Sequence, residues 1–92
     1  MSNKTETNRY ELKYPVTLGQ ETTKEITLKR PTVNDVVAAN RAGGVPAEVE
    51  LRMVAILSGL SPEVIGELDM EDYTAVQSLL GKLINANAPK QA

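Results

Sequence analysis

The chain contains no cysteine, no histidine, no phenylalanine and no tryptophan, and three tyrosines are its only aromatics. Without thiol or imidazole there is no Cys or His zinc site, no cysteine nucleophile and no Ser-His-Asp triad, and no side chain titrates near neutrality unless a carboxylate or lysine is strongly shifted. Catalysis, a metal and a cofactor are therefore not expected. The lack of disulfides suits a reducing compartment. Long apolar runs are missing as well. MSNKTETNR has none, which argues against a signal peptide, and no later segment reaches the roughly 18 uninterrupted apolar residues of a membrane span. Charge of one sign is also lacking. Ten basic residues stand against 12 acidic ones, interspersed, for a net charge of -2, so no basic stripe exists to neutralise phosphates. Nucleic acid and membranes are disfavoured as partners, and a cytoplasmic location is expected.

What remains is a 92-residue chain whose interior must be built from Val, Leu, Ile, Met and Ala. A domain this small leaves roughly 35–40% of its unfolded surface exposed after folding. Residues 1–9 are polar and patternless, and 85–92 (NANAPKQA) are small and polar, so both ends read as flexible tails around a single domain at 10–84.

The apolar pattern changes period once. In YELKYPVTL, Tyr10, Leu12, Tyr14, Val16 and Leu18 alternate with Glu11, Lys13, Pro15 and Thr17, the two-residue period of a strand with one buried face. Pro15 cannot donate a ladder hydrogen bond, so this is an edge strand or one with its Pro nitrogen on a free side. GQETT at 19–23 reads as the turn, and KEITLKR as a second strand with Ile26 and Leu28 inward. A hairpin alone is marginal and must lie on something.

That support reads as helical. Thr32 is an N-cap with Asp35 three residues on, an approximate capping box, and Val33, Val36, Val37 and Asn40 share one face before Gly43 and Gly44. Pro46 opens a second helix that stops at Gly59, and Ser61 and Pro62 open a short third one, PEVIGEL. Asp69 caps the last helix, with Asp72 at its third position. There Tyr73, Val76, Leu79, Leu80, Leu83 and Ile84 form one broad apolar side that calls for no partner beyond the domain's own core. The fold class is α+β, an N-terminal β-hairpin packed on a small bundle of three to four α-helices.

The helix opened by Pro46 carries two apolar ridges. Val45, Val49, Met53, Ile56 and Leu57 fall within roughly 120° and form the core stripe. Ala47, Leu51, Val54 and Ser58, with Ala55 beside them, form a second and narrower ridge. Glu50 stands on one side between the ridges; Glu48 and Arg52 stand on the other, four apart and able to pair. The second ridge is either covered by the chain's own elements, which makes this the central helix, or partly exposed as a surface for a helix of another molecule.

Other patterns carry less. Asp69, Glu71 and Asp72 lack the alternating oxygens and Gly turn of a calcium loop, and acidic residues there satisfy a helix N-terminus. AGG at 42–44 has no Gly-Lys-Ser or Gly-Lys-Thr and reads as a turn. A DNA-binding helix-turn-helix is opposed by Glu48 and Glu50, which would repel phosphates. Ser78 lacks the preceding Asp of an acyl-carrier attachment site and sits within a helix.

Leu12 and Pro15 before Gly19; Leu28, Arg30, Pro31, Thr32 and Asp35; and Leu57, Gly59, Leu60, Ser61, Leu68, Asp69, Asp72 and Tyr73, in that order, resemble the small tail assembly chaperones of contractile-tailed, Mu-like and P2-like phages and prophages. The resemblance implies a non-enzymatic chaperone that binds the helical tape measure protein during tail morphogenesis, helps recruit tail tube protein, acts in the host bacterial cytoplasm and is absent from the mature virion. It implies no catalytic residue, metal or cofactor. Weak self-association fits such a role, since a ridge of a few hundred Å² binds weakly alone and firmly in arrays. From a different class comes the alternative of a small structural or adaptor protein in a stable oligomer within a phage complex.

Overall fold

The computed structural model describes residues 8–85; the tails read from the sequence lie mostly outside them, although Arg9 opens the first strand and Asn85 closes the last helix. Two strands, β1 (Arg9–Leu18) and β2 (Glu21–Thr27), form an antiparallel hairpin. Four helices follow: α1 (Val33–Arg41), α2 (Pro46–Ser58), α3 (Pro62–Gly66) and α4 (Met70–Asn85). The expected α+β class is the one observed.

The hairpin departs from the expected one in turn and register. Leu18 pairs with Glu21, so the connection is only Gly19–Gln20, not residues 19–23. Gly19 has φ 64° and Gln20 does not lie at positive φ, as a tight II′-class hairpin turn requires. β2 accordingly starts earlier than KEITLKR. Glu11 pairs with Glu25 and Val16 with Thr23, so the four residues Leu12–Pro15 stand opposite Lys24 alone. This bulge breaks the alternation: Leu12 and Val16 are buried, whereas Tyr14 and Leu18, expected inward, are exposed. Pro15, with no N–H to give, falls inside the bulge.

The helix signals are realised where they are local. Thr32 Oγ1 accepts from Asp35 N–H at 3.2 Å while the Asp35 carboxylate accepts from Thr32 N–H at 2.9 Å, closing the capping box, and Lys29 adds an ion pair at 3.0 Å. The Thr32 amide, then Lys29, holds the Asp35 carboxyl below the usual carboxylate range. Gly59 ends α2 in the left-handed region (φ 77°). Ser61 caps α3, which is shorter than PEVIGEL and stops at Gly66.

Ile26 and Leu28 from the hairpin, Val54 and Leu57 from α2, Ile65 from α3 and Val76 and Leu80 from α4 form one core. α2 is central, meeting α1, α3 and β2. Lys29 N–H donates to the Leu57 carbonyl at 3.0 Å, which satisfies a carbonyl at the end of α2 and fixes the hairpin's exit against it.

One corner between α1 and α2 is tight. Gly44 has φ 104°, and a Cβ there would meet the Glu48 carboxylate, which accepts from Val45 N–H at 3.3 Å. Gly44→Ala is expected to lower stability by about 1–2 kcal/mol, readable as a fall in the urea midpoint with an unchanged slope.

Candidate partner-binding surface

Three elements, β1, α2 and α4, are joined through two carboxylates. Glu50 of α2 accepts from the Tyr73 hydroxyl at 2.9 Å and from the Gln77 side-chain amide at 2.8 Å, tying α2 to α4. Burial and then the hydrogen bond to Glu50 raise the Tyr73 hydroxyl pKa far above the ordinary tyrosine value. Asp72, the other, is wholly buried. It does not close a capping box as its position suggests: Asp69 alone caps α4, accepting from Glu71 N–H at 2.9 Å. Asp72 instead accepts from Lys13 N–H at 3.0 Å, Tyr14 N–H at 2.9 Å and the Tyr10 hydroxyl at 2.9 Å, satisfying the amides that the β1 bulge frees from the ladder. Beside it Lys13 pairs with Glu71 at 2.5 Å. The acidic cluster of α4 is therefore occupied in holding the hairpin and the helix start.

The second ridge of α2 divides. Val54 is 0% exposed and Ala55 is buried, so these two belong to the core and have no surface to offer a partner. The physical reason is the central place of α2, enclosed by α1, α3 and the hairpin. Leu51 and Ser58 are half-buried and Ala47 is exposed. Ser58 spends its hydroxyl on the Ala55 carbonyl at 3.3 Å and on Leu60 N–H at 3.2 Å. Ala47 and Leu51 line an open recess, a small one of about 180 Å³ shared with Ile65, Leu68 and Met70. On the opposite ridge Val45, expected in the core, is exposed.

The larger apolar surface lies elsewhere. In α1 only Ala39 is buried; Val33 is 79% exposed, and Val36 and Val37 are exposed as well. At 100° per residue Val33, Val36, Val37 and Asn40 span about 100°, with Ala39 outside that arc. The helix thus turns its most apolar stripe outward. Arg52 holds it in this pose, its Nε donating to the Ala39 carbonyl at 2.9 Å and an Nη to the Gly43 carbonyl, rather than pairing with Glu48. Arg52→Met is expected to leave global stability nearly unchanged while amides of residues 33–43 exchange at least tenfold faster, because α1 has few other anchors.

Between α1, α2 and the C-terminal half of α4 runs a cleft of about 400 Å³, floored by Val49, Met53 and Leu80 and edged by Asn40, Pro46 and Ile84. A second recess of about 250 Å³ shares Ile84 and reaches Arg30, Val33 and Val36. Ile84, expected in the core of α4, is 50% exposed at the point where the two meet. α4 therefore does carry apolar surface beyond what its own core covers. Sequence periodicity had marked the valine stripe of α1 as one face, but periodicity says nothing of which way a face points.

Among the described residues no helix is long and apolar enough to cross a membrane, and no group of three or more Asp and Glu side chains is placed to hold a metal ion. No curated protein and no solved structure matches the chain. The family model described as phage tail assembly chaperone proteins, E, or 41 or 14, matches residues 9–85, from the first residue of β1 to the last of α4. With both strands and all four helices inside the match, the chain belongs to the phage tail assembly chaperone family, whose members are not enzymes.

Proposed function

We propose that the chain binds the helical tape measure protein during tail morphogenesis and helps recruit tail tube subunits, working in the host bacterial cytoplasm and leaving before the virion is complete. The observation that carries this reading is the outward valine stripe of α1 beside the cleft floored by Val49, Met53 and Leu80. A stripe and an adjoining furrow are what a helix-in-groove contact uses. Val33, Val36, Val37, Val45 and Ile84 together expose roughly 400 Å², within the range of patches that mark interaction sites. Burying that much apolar area gains about 10 kcal/mol gross at 25 cal/mol/Å². Association costs of similar size leave one copy binding weakly, and an array of copies along a long client holds firmly through effective concentration. Such reversibility suits a protein that must yield to arriving tube subunits.

Co-expression with the tape measure protein, followed by pull-down, tests the reading. Recovery of the client is expected, with Val33→Lys plus Val37→Lys abolishing it at an unchanged melting temperature, since both side chains already face water. Failure of the unaltered chain to recover the client overturns the proposal.

A further inference from the structure

The charge around the α1 stripe departs from that of the whole chain. Although the net charge is -2, the ionised groups beside the stripe that remain uncommitted are basic. Arg30 lines the recess at the start of α1, and Arg41 closes the helix about 40° round from Val37. Neither is in a salt bridge among the described residues. The nearby carboxylates are engaged: Asp35 by Lys29 and the Thr32 amide, Glu50 by Tyr73 and Gln77. A partner settling on the stripe meets apolar side chains in the middle and an unpaired guanidinium at each end.

We infer that this face takes an amphipathic helix whose apolar ridge is flanked by carboxylates, so that Arg30 and Arg41 select the segment of client that is held. Two other occupants fit less well. The chain's remaining residues, 1–7 and 86–92, contain no large apolar side chain apart from Met1, too little to fill a furrow of Val, Leu and Met. A second copy set antiparallel on α1 would bring Arg30 of one against Arg41 of the other, like charges at both ends. Its roughly 400 Å² from each copy would also fall well short of the roughly 800 Å² per partner of a stable dimer.

This inference rests on the reading that the face holds a helical client, and its test separates the two. The probes are two synthetic helical peptides with the same Leu and Ala ridge, one flanked by Glu and the other by Lys, titrated against the full chain by fluorescence anisotropy. The Glu-flanked peptide is expected to bind about tenfold more tightly at low ionic strength, with the difference shrinking at ~0.3 M salt. Arg30→Glu with Arg41→Glu is expected to reverse the preference while leaving the melting temperature in place. Equal binding of both peptides, or binding of neither, overturns the inference. A concentration-dependent dimer that Val33→Lys dissolves also overturns it, in favour of a second copy. Capture of the tape measure protein that survives the double arginine reversal defeats the charge selection alone, whereas no capture by the unaltered chain defeats the underlying reading.

Discussion

Asp72→Ala is expected to lower stability by about 2–4 kcal/mol and the melting temperature by roughly 10–20 °C, a large effect for a substitution at a polar residue. The wholly buried carboxylate is the acceptor for two backbone N–H groups and one hydroxyl, all on β1. Removing it leaves the Lys13 and Tyr14 amides without a partner in a bulge where β2 cannot supply one, because Lys24 alone faces four residues. Asp72→Asn is expected to recover only part of the loss, since its amide nitrogen turns a donor toward one of those donors. The acid limb of stability should move with it. Burial pushes the Asp72 carboxyl pKa up, but the Lys13 and Tyr14 amides and the Tyr10 hydroxyl together outweigh this and hold it below the usual carboxylate value. The unfolded chain therefore takes up this proton at a higher pH than the folded one. The contribution is complete above about pH 4 and is lost as pH falls through the lower folded value. Urea midpoints between about pH 2 and pH 5 are expected to fall steeply in the unaltered protein and less steeply in Asp72→Asn. An equal slope in the two proteins would falsify the assignment of Asp72 as the hairpin's anchor.

The second large effect separates two neighbours on the same ridge of α2. Val54→Lys is expected to cost about 4 kcal/mol or more and to leave the chain largely unfolded at 37 °C, because position 54 is wholly enclosed in the apolar core and an ammonium there loses its water. Leu51→Lys is expected to cost about 1–2 kcal/mol, since a half-buried lysine can run its stem along the small recess beside Met70 and reach water. Thermal melts followed by circular dichroism read the contrast directly. Comparable losses from the two substitutions would mean that the ridge is uniformly buried, against the burial seen here. On the proposed function the variants also sort stability from binding: Val54→Lys is expected to abolish client capture only by unfolding the chain, whereas changes at the exposed valines of α1 are expected to leave the fold intact.

Much of the domain is written in short-range signals. Thr32 with Asp35, Pro46, Gly59, and Ser61 with Pro62 each act within four residues, so the starts of three helices and the end of α2 can be read without knowing what packs on what. The absence of thiol and imidazole narrows the chemistry open to the chain whatever its fold. The hairpin was legible as two strands but not in its register, because the bulge is held from 58 and 59 residues away in sequence. The apolar stripe of α1 was legible as a stripe and not as a surface.

Asp35 and Asp72 show where the division falls. Each is the third residue of its helix behind a capping residue, and by sequence alone they are alike. Asp35 turns back to Thr32, and only Lys29, from the segment just before its helix, joins it there, whereas Asp72 turns to β1 because the core sets the bulged strand across the start of α4. Local backbone chemistry fixes where helices begin and end, since its partners are always within reach. Which face of a helix is covered, and which carboxylate is called away, depends on contacts between elements distant in the chain, and those come into being only when the whole chain packs.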